Sequence, residues 1–459
     1  MGNTVDLTTG SIGKSLTKLA VPIIGTSFVQ MAYNLTDMMW VGRIGSGAVA
    51  AVGTAGFFTW LAGAVIILAR TGAEVGVAQS VGRRDMRQAK SYARHSIQLI
   101  VFLSCLYGLA LVSFSRPLMG FYRLGSPIED AARIYLTIVA FGMPFFMLNP
   151  VLTAIFNGTG DSATPFRVNT FGLVLNMILD PIFIFGLGPI PRMETTGAAV
   201  ATVIAQLAVT VVFCGQARKR PELFSGLNLL RIPEAARMKE IVLLGLPVAV
   251  QNALFTTVAM ITARIIAHWG ALPVAVQRVG SQIESISWMT ASGFHNAMSA
   301  FVGQNYGAKQ WERVRKGYYV GLGLVSVVGL FATFLLIFAG RPIFAVFIPE
   351  EEAIRHGVVY LRILGLSQWW MCIEIVTAGA FLGHGRSFPP AVVSIGFNLL
   401  RIPGAILLSS TSLGLEGVWW AISMSSVLKG LVLTLWHLHY LRSYRFAGSL
   451  ARKGEGSPV

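Results

Sequence analysis

The sequence predicts an all-α polytopic membrane protein, with twelve transmembrane helices in two pseudosymmetric six-helix lobes. Three observations predict it. The 459 residues are 54% apolar but only 12% charged, whereas soluble chains carry about 25% charge, so there is too little polar surface here to wet a soluble globule. The apolar residues gather into runs long enough to cross a hydrocarbon core of about 30 Å, which takes about 20 helical residues. The second half of the chain also repeats the first at a fixed step.

Divided at polar and Gly/Pro breaks, the runs cover 15–39, 47–76, 93–115, 130–156, 167–187, 195–215, 240–268, 272–302, 317–339, 354–382, 388–410 and 414–440. The longest must tilt, kink or protrude. Pro22 lies in the first half of span 1, where it removes a helical hydrogen bond and predicts a hinge; Pro247 repeats this in span 7. The N-terminus lacks the basic stretch and short apolar core of a signal peptide, so span 1 is expected to stay in the mature protein. Basic residues concentrate after span 2 (Arg83, Arg84, Arg87, Lys90), span 6 (Arg218, Lys219, Arg220, Arg231) and span 8 (Lys309, Arg313, Arg315, Lys316). By the positive-inside rule both termini are cytoplasmic, which requires an even number of spans. The formal net charge of +16 therefore reads as topology. A nucleic-acid partner is not expected, because no long polar domain exists to carry its footprint. Cys105, Cys214 and Cys372 stand far apart in apolar runs, without metal-ligand spacing.

Pro22 and Pro247 are 225 residues apart, and the same step relates Gly45 to Gly270, Tyr135 to Tyr360, Gly158 to Gly383, Gly160 to Gly385 and Pro165 to Pro390. One gapless register thus aligns roughly 20–165 with 245–390. A six-span repeat enters the membrane from the same side twice, so the copies are expected to be parallel, related by an axis along the membrane normal. The predicted organisation is a first lobe at 1–215, a cytoplasmic linker at 216–239, a second lobe at 240–441 and a cytoplasmic tail at 442–459. Two such lobes around a central cavity suggest alternating access.

An ionisable group near the bilayer centre costs about 2.5–3.5 kcal/mol and needs a partner or a purpose. Asp37 lies toward the end of span 1 and Asp180 inside span 5, with Asn176 one turn before Asp180 on the same face and Thr202 in span 6. This oxygen-rich set is suited to H⁺ or to a hard cation such as Na⁺ at Asp37 and Asp180; no other metal is expected. At the repeat step Asp37 faces Thr262, and after a three-residue shift Ile402 takes the place of Asp180, so the acids are not needed for the scaffold. The second lobe carries Arg264, Arg278, Glu284, Glu374 and Arg401. Glu374, opposite Asn149, is expected to pair with Arg401 or Arg278, and Arg278 to face the cavity and govern exchange of ion and substrate. No Walker motif, HExxH, GxSxG or Cys/His cluster is present, so neither an enzyme nor a cofactor is expected.

Over essentially its whole length the chain resembles the multidrug and toxic compound extrusion (MATE) transporters. The resemblance is carried by LAVPIIGTSFVQMAYNLTDMMWVGRIG, FNGTGDSATP, NMILDPIFIFG with TTGAAVAT, and RVGSQIESISW running into AFVGQNYGAKQWERV. The last motifs look like the branch named for DNA-damage-inducible protein F. The NorM branch has an acid eight residues after the span-7 proline, where this chain has Phe255. The resemblance implies a secondary antiporter that exports cationic or amphiphilic small molecules in exchange for H⁺ or Na⁺. It carries the ion site onto Asp37, Asn176, Asp180 and Thr202, with Tyr33 and Tyr135 lining the same cavity. Expected surroundings are membrane lipids, a prokaryotic inner or plasma membrane and a monomeric state. The competing expectation is a lipid-linked oligosaccharide flippase of the same superfamily, for which Arg264, Arg278 and Arg401 would supply the cationic cavity.

Overall fold

The computed structural model describes residues 6–121, 125–348 and 350–454; the end of the predicted tail, 455–459, lies outside them. Twelve long helices follow in order: α1 (Ile12–Gly42), α2 (Ser46–Gly82), α3 (Met86–Gly120), α4 (Ser126–Gly158), α5 (Ala163–Phe185), α6 (Glu194–Arg218), α7 (Ala235–Ile266), α8 (Ala271–Gly307), α9 (Trp311–Phe338), α10 (Glu351–Gly383), α11 (Phe388–Ser409) and α12 (Leu415–Gly454). Short helical turns lie at Pro221–Phe224, Ala267–Trp269 and Gly340–Ala345, and no strand occurs among the described residues. Ten of the twelve are long and apolar enough to cross a membrane. The other two are α1, which carries Gln30, Asn34 and Asp37, and α8, which carries Arg278, Gln282 and Glu284. Helices spend hydrophobicity where polar groups are required, and of the groups that the burial argument singled out these two hold Asp37, Arg278 and Glu284.

The repeat is written into local geometry as well as residue identity. At the α2–α3 turn Arg84 has φ 58°, and at the α8–α9 turn Lys309 has φ 58°, a left-handed conformation uncommon for residues other than glycine. The closing bonds match too: Asp85 N donates to Ser80 O and Gln310 N to Asn305 O, each at 2.9 Å. A Cβ added to Gly158 would come within 2.9 Å of Glu74 O on α2, and one added to Gly383 within 2.7 Å of Ser299 O on α8. Both glycines let the ends of α4 and α10 approach a neighbouring backbone more closely than any side chain permits. α4 and α10 are the most buried helices of their halves, and they hold Tyr135 with Asn149 and Tyr360 with Glu374 respectively.

The chain forms two compact units: Val21–Ala249, and Asp6–Ala20 together with the chain from Val250 onward. The boundaries fall inside α1 and inside α7, beside Pro22 and Pro247. In the second unit, Asn305 Nδ2 donates to Leu7 O (3.0 Å) while Arg313 donates to the carbonyls of Leu7, Thr9 and Gly10 (3.1, 2.5 and 2.8 Å). In the first, residues 216–239 are bonded to α3: Lys90 Nζ donates to Ser225 O (3.1 Å), Gln98 Nε2 to Leu229 O and Arg231 O (2.9 and 2.7 Å), and Arg94 pairs with Glu234 (3.3 Å). The segment read as a linker is thus fastened to the first unit.

Candidate coupling-ion site

In the first unit four helices bring one polar cluster together. α1 supplies Tyr33 and, one turn later, Asp37; α5 supplies Asn176 and, one turn later, Asp180; α4 and α6 supply Tyr135 and Thr202. Asp180 is fully buried and Asn176 nearly so. Asn176 Nδ2 donates to Asp180 Oδ1 at 2.7 Å, so the carboxylate is held by a side chain on its own helix and not by backbone freed at Pro181. Its other oxygen, Oδ2, is buried with no hydrogen-bond partner among the described residues. Tyr33 lies against Thr202 and within electrostatic reach of Asp37, Tyr135 and Asp180, and Tyr135 is similarly close to both acids. No Lys, Arg or His forms an ion pair with either acid among the described residues. Two acids without a basic partner among the described residues, one with an open oxygen, make this a buried cluster of acidic character whose charge the surrounding side chains do not balance. Nor does any group of three or more His, Cys, Asp or Glu among the described residues form a metal-holding set.

Pro22 lies in the first half of α1, which continues through it without interruption. Thr26 Oγ1 donates back to Pro22 O at 3.0 Å and Ser27 Oγ to Ile23 O at 3.3 Å. Such back-bonds bend helices slightly and add to the missing proline hydrogen bond.

The second unit arranges its charges differently from the expectation. Glu374 pairs with neither Arg401 nor Arg278: its Oε2 lies 3.4 Å from Lys429 Nζ on α12, both side chains being buried. Lys429 is near enough in α12 to meet α10, whereas Arg401 is drawn off by two hydroxyls, Nε donating to Ser425 Oγ at 2.5 Å and Nη2 to Ser426 Oγ at 3.0 Å. Arg278 is exposed and makes no ion pair among the described residues, and Arg264 is also exposed. Glu284 Oε2 accepts from Gln368 Nε2 at 3.1 Å, and Gln368 Oε1 accepts from Ser287 Oγ at 2.6 Å.

The sequence reading missed Lys429 and Glu74, each a buried ionisable residue inside an apolar helix. The same burial cost that marked Asp37 would have found both. It also missed Asp161 of the FNGTGDSATP motif, which is fully buried, accepts from Thr164 N and Oγ1 at the start of α5 (3.0 and 2.7 Å) and pairs with Arg220 at 2.6 Å.

Comparison with known proteins decides the family. The MatE family model matches residues 22–182 and again 247–407, two stretches displaced by the repeat step. The chain belongs to the MatE family. It is therefore a member of a multidrug efflux transporter family and a multi-pass integral membrane protein. This MatE chain is 30% identical over 415 residues to a probable multidrug resistance protein NorM of Thermotoga maritima, covering 89% of this chain and 88% of that one. It is 23% identical over 432 residues to an FAD transporter of Shewanella oneidensis, covering 93% and 94%. In fold it is similar to a multidrug resistance MATE transporter of the MOP superfamily solved in an outward-facing conformation, with a TM-score of 0.85 at 22% identity over 96% of this chain and 99% of that one.

Proposed function

We infer that the chain is a secondary antiporter that exports cationic or amphiphilic organic compounds in exchange for H⁺ or Na⁺, bound in the first unit at Asp37 and Asp180 with Asn176 and Thr202. What carries this reading is Asp180: a fully buried carboxylate with one oxygen on Asn176 and the other open. With a second acid close by, the two cannot both be ionised cheaply, so one proton shared by the pair or one cation between them is the low-cost state. Tyr33 and Tyr135 supply further oxygens and border the compartment from which substrate leaves.

Occupying the site removes charge repulsion between α1 and α5, and α1 responds by changing its bend at Pro22. The substrate compartment narrows, and release of the ion to the cytoplasmic side resets it. A potential of 100 mV contributes about 2.3 kcal/mol per charge crossing, enough to drive tens-fold gradients. The setting is a prokaryotic plasma membrane with both termini cytoplasmic, and the working unit is one chain.

The test is efflux from proteoliposomes with a pH gradient and a sodium gradient imposed separately. One of them drives export by the native chain, and Asp180→Asn and Asp37→Asn each lower gradient-driven export by at least about tenfold, the loss for one lost charge-dependent contact of 1.4 kcal/mol. Full gradient-driven export by both variants overturns the assignment.

A further inference from the structure

The second unit contains a cation whose bonded partners among the described residues are neutral. Glu374 and Lys429 satisfy each other, and Glu284 is held by the Gln368 amide. Arg401 is close enough to feel both acids, yet forms an ion pair with neither among the described residues. Its bonds go to Ser425 and Ser426, whose own hydroxyls donate back to Ile422 O at 2.8 and 3.1 Å and so turn their lone pairs toward the guanidinium. The serines fix the edge formed by Nε and Nη2, and Nη1 remains to be used.

Arg401 is only half-buried, and its guanidinium lies over the ring of Phe255, 5.9 Å from the centroid. Phe255 is itself 47% exposed. A guanidinium turned toward lipid within an apolar helix is costly, which favours a solvated open side for this pair. A guanidinium fixed by two serines, with Nη1 left over beside a partly exposed ring, matches a ligand with an acidic group on an aromatic body: the acid accepts a charge-assisted hydrogen bond from Nη1 and the ring packs on Phe255.

We propose that Arg401 and Phe255 form a subsite in the second unit that takes the carboxylate and the adjoining aromatic ring of an amphiphilic substrate. This rests on the reading of the chain as an exporter of amphiphiles and names a class among them. It is independent of the coupling ion.

The probes are rhodamine 19, which bears a free benzoate, and rhodamine 6G, its ethyl ester. Binding to the purified full-length protein in neutral detergent is followed by fluorescence polarisation, with no gradient imposed. The native chain binds the acid about tenfold more tightly than the ester, as expected for one charge-assisted hydrogen bond from Nη1 worth about 1.4 kcal/mol. Arg401→Gln removes that preference and leaves the ester within about twofold; Arg401→Lys restores part of it, because an ammonium keeps the charge but loses the planar fork. Phe255→Ala weakens both dyes alike. Equal affinity of the native chain for the two dyes overturns the subsite without any variant, and so does an Arg401→Gln that weakens both equally. Displacement of the acid by dioleoyl phosphatidylglycerol at low mole fraction assigns Arg401 to a lipid headgroup and overturns it as a substrate subsite. If neither dye binds, the exporter reading for amphiphiles falls as well.

Discussion

Asn149 and Glu374 occupy the same place in the two halves and have been put to opposite uses. On α4, Asn149 donates to Gln206 O and Oε1 (3.0 and 2.8 Å) and accepts from Thr210 Oγ1 (2.8 Å), a neutral lattice tying α4 to α6. On α10, Glu374 reaches Lys429 of α12, and the same helix pairing is made by charge. At this helix pair the first unit uses neutral groups, and it leaves Asp37 and Asp180 without a basic partner among the described residues, although its buried Asp161 is paired with Arg220. At the equivalent pair the second unit balances acid against base, Glu374 against Lys429. The packing shows the same freedom: Gly76 accommodates Tyr92 in the first half, while Phe301 and Gly317, at the equivalent positions, exchange large for small. The halves conserve the fit between helices and differ in which partner supplies it, so charge can be redistributed without altering the scaffold.

The comparison can be broken most forcefully at Lys429. Lys429→Met leaves Glu374 buried and unpaired, and unfolding in mixed micelles is expected to show a loss of about 3–5 kcal/mol. The double variant Lys429→Met/Glu374→Leu regains most of that loss, since an apolar pair of similar volume replaces a buried ion pair at little cost. A double variant no more stable than the single one would show that Glu374 has another essential partner. A smaller effect sharpens the equivalence of the scaffolds. Gly158→Ala and Gly383→Ala each force a Cβ against backbone and are expected to cost about 1–3 kcal/mol, similar in the two halves; thermal unfolding of the two variants side by side checks this. The smallest effect belongs to the exposed pair of Arg341 and Glu351, at 3.0 Å. Glu351→Gln should change stability by less than about 1 kcal/mol, and less still in high salt.

The helices were legible because the cost of an unpaired backbone in lipid leaves few alternatives to a long apolar helix. The register of the repeat was legible because glycine and proline are hard to replace where backbones approach or bend, as at Gly158 and Gly383. The pair Asn176 and Asp180 was legible because residues four apart share a helix face. The partner of Glu374 was not. Lys429 lies 55 residues further on, and nothing in the periodicity of α10 or α12 states which turn of one meets which turn of the other. Nor does the basic run at 83–94 distinguish charges that set topology from those that bind a particular acceptor. Lys90, on the Ser225 carbonyl, and Arg94, on the Glu234 carboxylate, are of the second kind, and Arg220, counted with the loop charges, pairs with the buried Asp161. The tyrosines of the first-unit cluster entered only through family resemblance, because a tyrosine in an apolar helix has no burial cost large enough to mark it.

The exchange of segments at α1 and α7 bears on biogenesis. Because Asp6–Ala20 belongs to the second unit and the chain through Ala249 to the first, the order of synthesis does not match the order of completion. The first unit is closed only once the start of α7 has left the ribosome, well after its sixth helix. The second unit depends on a segment made before any other, held in readiness until Asn305 and Arg313 have been translated and can bind it. Severing the chain within 216–239 would therefore produce two fragments that each lack a piece of their own unit and carry a piece of the other's. Co-expression of both fragments is the expected condition for recovering either fold.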